Sequence, residues 1–217
     1  MGGDWPIVMA QRELKFDEWC AMWQCALERI SAREAEFSEL DAALGDGDHG
    51  QAIVGAMKVV VEKLSAGANF RSALGDAGME VLMAISGSTS TLLGALLLGM
   101  SDGVGAVDVI GAKDFKSMFG WGLKNVQQQT RALVGDKTMM DALIPAVDAI
   151  LDCESEDIDQ IMQSAAEAAA KGAEATVAMQ ARFGRARNYG ERSVGVMDSG
   201  AASWSCMIAA FAEALNN

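Results

Sequence analysis

Three aspartates, Asp41, Asp46 and Asp48, fall within eight positions of one another in LDAALGDGDHG (40–50), among glycines at 45, 47 and 50. Carboxylates held this close repel one another unless a cation sits between them. Hard oxygen ligands on a short, glycine-containing loop suit Mg2+, which commonly bridges to phosphate oxygens. The competing reading is a solvated acidic turn, which a chain of net charge −13 can place anywhere. GDGDHG also satisfies G-x-G-x-x-G, but a dinucleotide loop follows a β-strand and offers bare N–H groups to a pyrophosphate. Here the preceding residues read as helical, and two aspartates fill the variable positions. The chain contains no G-x-x-x-x-G-K-[ST], so it is not a P-loop protein.

A second group is basic. Arg182, Arg185, Arg187 and Arg192 crowd into ARFGRARNYGERS (181–193), where about one basic residue is expected by chance. They could neutralise phosphate, form internal salt bridges or bind RNA, and the acidic balance of the chain weakens the last option. Ser88, Thr89 and Ser90 of SGSTST (86–91) can donate hydrogen bonds to phosphate or cap a helix. Lys137 of GDKTMMD (135–141) is open to the same two readings. Together, a carboxylate-held Mg2+, hydroxyl donors and arginines equip a site for phosphoryl transfer by positioning and charge neutralisation.

The elements that must hold these loops are helical. Phe16, Trp19, Trp23, Leu27 and Ile30 form one stripe at steps of three and four; Ile53, Met57, Val60 and Leu64 form another, as do Trp204, Ile208, Phe211 and Leu215. Between them the pattern predicts helices near 70–85, 90–102, 113–132, 142–152 and 157–180. Asn69 reads as an N-cap, and Pro145 as a first-turn residue of a helix capped by Asp141. That makes eight helices and no period-two strand: an all-α single domain over 11–217, bundle or closed ring, behind a loose arm at 1–10. In an up-and-down arrangement alternate loops share an end. The loops at 40–50, 86–91, 135–141 and 181–201 (which includes MDSGA, 197–201) alternate in that way, so all four converge on one rim.

Composition removes several alternatives. With 217 residues, 51% of them hydrophobic and 22% charged, the chain has ample core for one domain. An excess of 30 acidic over 17 basic residues argues against nucleic acid and against an anionic membrane. The uncharged run from Val81 to Ser101 is long enough to span a bilayer, but SGSTST interrupts it. Cys20, Cys25, Cys153 and Cys206 form no CxxC pair, and His49 is the single histidine, so a zinc site is not expected. A Ser-His-Asp engine would have to use His49 as its base. No basic start followed by an apolar run and a cleavage site is present, which predicts a cytoplasmic protein with reduced thiols.

LDAALGDGDHG, MAISGSTSTLLG, GDKTMMDALIPA and MQARFGRARNYGERSVGVMDSGA, in this order, closely resemble the nucleotide-binding L subunit of dihydroxyacetone kinase, over essentially the whole chain after the first ten residues. The resemblance implies an eight-helix antiparallel up-and-down barrel with Mg-nucleotide at one rim. By motif, it implies that Asp41, Asp46 and Asp48 hold two Mg2+ ions against the diphosphate of ADP or ATP. His49, Gly50, Gln51 and Ala52, with Ser88 and Thr89, would line the phosphates. Met139 would lie near the adenine, and Arg185 with Asp198, Ser199 and Gly200 would close the site. A separate K-type subunit would hold the ketose, of three or four carbons. The phosphoryl donor would be ATP or a phosphohistidine protein of a phosphotransferase system. An alternative is a non-catalytic nucleotide sensor that binds a transcription regulator; fatty-acid kinases, whose loop reads more like PDGDTGTNM, rank behind both. Four positions depart from the family pattern: Ser86-Gly87-Ser88-Thr89-Ser90 replaces a GG(A/S)SG block, Ala52 an asparagine, Ser199 a proline and Thr130 a glycine.

Overall fold

The Phe16–Ile30 stripe winds into α1 (Phe16–Ala32), whose Trp19, Trp23 and Ile30 are fully buried. A computed structural model describes residues 12–85 and 87–216, and the arm expected over 1–10 lies outside them. The remaining helices are α2 (Glu34–Leu44), α3 (His49–Ser65), α4 (Phe70–Ala84), α5 (Ser88–Asp102), α6 (Ala112–Gln129), α7 (Met140–Asp152), α8 (Ile158–Ala175) and α9 (Ser199–Leu215). α1 packs on α3, each later helix packs on the next from α3 through α9, and α9 returns to α1. Eight helices therefore close an up-and-down ring around an apolar interior. Its aromatic centre includes Trp23 against Phe211 at 4.9 Å and Trp19 against Phe119 at 6.2 Å. Burying such side chains, at about 1.5–3 kcal/mol each, is the main force closing the ring.

The ninth α-helix among the described residues, α2, stands outside the ring, on α3, α9 and the 3-10 segment Arg185–Ser193. The sequence reading expects eight helices; the additional one arises because the chain turns at Arg33 (φ −113°, ψ 14°), whose N–H bonds back to Ile30 and Ser31. Ile30 and Phe37 are seven residues apart and stay in helical phase, so periodicity gives no sign of this break. A two-residue antiparallel pair, β1 (Leu14–Lys15) with β2 (Val109–Ile110), also forms where no strand was expected. It is too short to show an alternating pattern.

One expected cap forms and the other does not. The Asn69 side chain caps α4 by accepting from Ser72 N at 3.0 Å. Asp157 likewise caps α8, accepting from Asp159 N at 3.1 Å. Asp141, expected to cap α7, lies inside its first turn; Met139 is the N-cap, and Pro145 falls within the helix rather than in its first turn. Asp141 is drawn inward because its carboxylate accepts from Gly135 N at 2.6 Å and Thr138 N at 2.8 Å. Pro145 has no N–H to return to the Asp141 carbonyl. α8 closes over that oxygen through Gly172, where a Cβ would lie 1.8 Å from it.

Among the described residues no helix is long and apolar enough to cross a membrane. The uncharged Val81–Ser101 run is α4 and α5 broken at a turn, with Gly87 at φ +125°. The loops before α3, α5, α7 and α9 meet at one end of the ring, as the alternation predicts, and border a common cleft.

Candidate functional site

The cleft has a volume of about 370 Å3 and opens to solvent, within the size range of small-ligand pockets. Asp41, Asp46 and Asp48 stand at its mouth, each with a carboxylate oxygen within 4.8 Å of the others'. The last turn of α2 presents Asp41, and the α2–α3 loop presents the other two. Asp41 Oδ2 accepts from Gly47 N at 2.8 Å and Asp48 N at 3.1 Å, which folds the loop around that carboxylate. Asp41 Oδ1 accepts from the Ser199 hydroxyl at 3.3 Å. A proline at 199 could not make that bond, so this departure from the family pattern gains a tie between α9 and α2. Asp46 is ion-paired with Arg185, which stands half-exposed above it. Three clustered carboxylates, two of them exposed, form a donor set suited to a hard divalent cation.

Two helices begin at the cleft without a side-chain cap. α3 starts after Asp48 and α5 after Gly87; neither N-cap side chain bonds into its helix, and neither first turn carries an acid. The first intrahelical bonds are Ala52 N to Asp48 O and Thr91 N to Gly87 O. The N–H groups of His49, Gly50 and Gln51, and of Ser88, Thr89 and Ser90, thus have no partner within their helices. Such ends attract anions. Gly50 and Gln51 do not line the cleft with their side chains. Gly50 is instead where α2 crosses α3, and a Cβ there would lie 2.1 Å from the Glu34 carbonyl. Ser90 turns its hydroxyl to the Ile85 and Gly87 carbonyls, so it serves the turn.

His49 ties three helices together. Its Nδ1 lies 3.2 Å from Thr89 Oγ1 on α5, and its Nε2 2.8 Å from Ser203 Oγ on α9. Burial pushes its pKa below the ordinary 6.5, against smaller upward pulls from Asp41 and from a backbone bond to Ser199. The ring is neutral at pH 7 and has no carboxylate partner among its hydrogen bonds, so its place in a hydrolytic triad is not supported.

On the other wall the polar groups satisfy one another. Lys137, in the left-handed region at φ 61°, is 1% exposed and donates its ammonium to the Thr176 and Val196 carbonyls. Burial lowers its pKa, opposed by Asp198 and Asp141. The Asp198 carboxylate caps α9 by accepting from Ala201 N at 2.8 Å. Burial drives its pKa up to about 7; the bond from Ala201 pulls the other way, and the charge of Asp141 adds to the rise. Of the arginine cluster, Arg182 pairs with Asp136 at 3.5 Å, Arg185 with Asp46, and Arg192 stacks on Tyr189 at 5.6 Å. In this state internal pairing takes most of that cluster.

The structure thus brings Asp41, Asp46, Asp48, His49, Ala52, Ser88, Thr89, Met139, Arg185, Asp198, Ser199 and Gly200 around one cleft. The sequence reading missed its apolar wall, where Phe183, Met197 and Leu92 join Met139. An aromatic alone within the polar run ARFGR was the available signal for Phe183. Thr130, found where a glycine was expected, also borders the cleft and spends its hydroxyl accepting from Ala132 N at 3.2 Å.

The DAK2 domain family matches residues 43–213. The chain is 32% identical over 186 residues to the PEP-dependent dihydroxyacetone kinase, ADP-binding subunit DhaL, of Escherichia coli, covering 83% of this chain and 89% of that relative. It is 35% identical over 195 residues to L-erythrulose 1-kinase of Mycolicibacterium smegmatis, covering 84% of this chain but only 33% of that longer protein. Among solved structures, the dihydroxyacetone kinase from C. freundii in complex with AMP-PNP and Mg2+ superposes with a TM-score of 0.69 at 20% identity. That match takes in 98% of this chain and 36% of that one, and at this identity it is a likeness of fold.

Proposed function

The chain belongs to the DAK2 domain family, and from that premise we propose that it is the Mg-nucleotide-binding L subunit of a dihydroxyacetone kinase-type enzyme. One observation carries the reading: three carboxylates gather in front of two uncapped helix starts on a single cleft. Carboxylates alone would repel a phosphate chain, and helix starts alone would take any anion. A cation-bridged phosphate uses both.

Asp41, Asp46 and Asp48 would hold Mg2+, two ions in our reading, and the bound metal supplies charge neutralisation for the transferring phosphoryl group. The backbone N–H groups of His49, Gly50 and Gln51, followed by Ala52, and those of Ser88 and Thr89 would cradle the phosphates. Arg185 would leave Asp46 when the cation arrives and turn its guanidinium to the phosphate oxygens. Met139 and Phe183 would flank the adenine, while Asp198, Ser199 and Gly200 close the cleft. Residues 11–217 would act as one domain, since α9 completes the ring against α1.

The one histidine of this cleft is held at both ring nitrogens and offers no free nitrogen to a ketose. The acceptor would therefore come from a K-type partner, with dihydroxyacetone or a four-carbon ketose such as erythrulose as substrate. The E. coli relative is named PEP-dependent, which suits a phosphohistidine phosphotransferase-system donor, and ATP is the other source. A cytoplasmic setting suits such a partnership.

A thermal-shift titration with ADP, with and without Mg2+, tests the reading. A ligand at about 100 times its Kd adds roughly 2.7 kcal/mol. The expected shift requires ADP and Mg2+ together and disappears in Asp46→Ala and Asp48→Ala. A full shift without metal, or one retained in both variants, contradicts the assignment. Binding without turnover, when a K partner and ketose are supplied, would favour a nucleotide-sensing regulator instead.

A further inference from the structure

Ser203 lies on α9, fully buried, and belongs to none of the sequence motifs that point to the cleft. It does not line the cleft but touches two residues that do, His49 and Gly200. Its hydroxyl lies 3.1 Å from the Gly200 carbonyl and 2.8 Å from His49 Nε2. A carbonyl oxygen can only accept, so with the single Ser203 proton directed to Gly200 the Ser203 oxygen accepts from His49. That requires the proton of the neutral ring to sit on Nε2. Nδ1 is then an acceptor, and the Thr89 hydroxyl, 3.2 Å away, must donate to it. Resting on the nucleotide reading of the cleft, we propose that Ser203 is a positioning residue which, through the His49 tautomer, fixes the direction of the Thr89 hydroxyl at the phosphate end.

The consequence alters the role of Thr89. Its hydroxyl proton is then committed to His49 Nδ1, so Thr89 meets phosphate through its backbone N–H at the start of α5. Its hydroxyl oxygen can then only accept, which suits a donor such as cation-bound water rather than a bare phosphate oxygen. Ser88, exposed beside it, remains the hydroxyl that can donate to phosphate.

His49 is the only histidine in the 217 residues, which makes the test direct. Protein purified without a histidine tag and labelled with 15N-histidine is examined by long-range 1H–15N correlation at about pH 8, where the ring is neutral. The expected wild-type pattern is pyrrole-like Nε2 with pyridine-like Nδ1. Ser203→Ala should convert it to a tautomer mixture or to the Nδ1–H form, whereas Thr89→Val should leave the Nε2–H form in place. Ser203→Ala should also weaken Mg–ADP binding about tenfold, the value of roughly one hydrogen bond, while Thr89→Ser retains binding. A wild-type Nδ1–H ring overturns the proposal even if no variant folds. So does an Nε2–H ring unchanged by Ser203→Ala. If the ring behaves as stated but wild type binds no Mg–ADP, the nucleotide reading fails and the tautomer lock stands.

Discussion

Four helices begin at the cleft, and they fall into two unlike pairs. α3 and α5 start bare: their N-cap residues, Asp48 and Gly87, return no side chain to the helix. α7 and α9 start closed. The Asp141 carboxylate absorbs the N–H groups of Gly135 and Thr138, Thr138 Oγ1 takes that of Met140, and Asp198 takes that of Ala201. In the closed pair the carboxyl groups of Asp141 and Asp198 both act on the charge of the buried Lys137. In the open pair, charge lies in front of the helices, on carboxylates exposed to a cation. Donors left uncapped in one wall are available to a ligand, whereas donors consumed in the other tie that wall to itself.

If the closed wall is scaffold, breaking it should cost stability first. Asp141→Ala takes a fully buried carboxylate away from two partly buried backbone N–H groups and removes one of the charges that act on Lys137. The expected loss is about 3 kcal/mol, read from urea unfolding. Gly172→Ala strikes the same wall from α8, since its Cβ would meet the Asp141 carbonyl. There the expected loss is about 2 kcal/mol, with a lower urea midpoint and an unchanged slope. A small loss in both variants would mean that this wall is no more rigid than the open one.

Asp198 sharpens the comparison through pH. Its carboxyl is raised from the ordinary 3.8 to about 7, chiefly by burial. The folded state therefore binds this proton more tightly than the unfolded chain. The stability it contributes is complete below about pH 3.8 and is lost as pH rises through about 7. Asp198→Asn keeps an oxygen for Ala201 N and removes the charge. It should raise the ligand-free unfolding free energy at pH 8 by about 1 kcal/mol, read from urea unfolding, and that advantage should shrink toward pH 5. Equal gains at both pH values would show that charge at this cap carries no cost.

How much of this division the sequence carried depends on the length scale of each signal. The ring was legible because its helices repeat apolar residues every three to four positions over many turns, as in Phe16–Ile30 and Trp204–Leu215. The common rim followed from alternation of the polar loops. The break at Arg33 was not legible, since Phe37 keeps phase with Ile30 across it. Asp141 read as a cap because its residue type and place fit one; that it would be drawn inside depends on the Gly135 and Thr138 backbone, which no local pattern encodes. The acidic loop stood out by spacing. The partner that holds His49, Ser203, lies 154 residues away and is joined to it only by the closure of the ring.

The smallest expected effect on stability belongs to the open pair. Asp48 is exposed, lies at the helical N-cap of α3 and makes no cap bond. Asp48→Ala should therefore change unfolding free energy by no more than about 0.5 kcal/mol, in a direction set by relief of repulsion among Asp41, Asp46 and Asp48. The same substitution removes one of three oxygen donors, so the Mg2+-dependent response to ADP should vanish while helicity stays intact. Calorimetric titration and urea unfolding on one preparation separate the two quantities. A variant that loses stability like Asp141→Ala would place Asp48 among the supports of the fold. A variant that keeps both stability and Mg–ADP binding would leave the bare start of α3 without the cation that its exposed carboxylates invite.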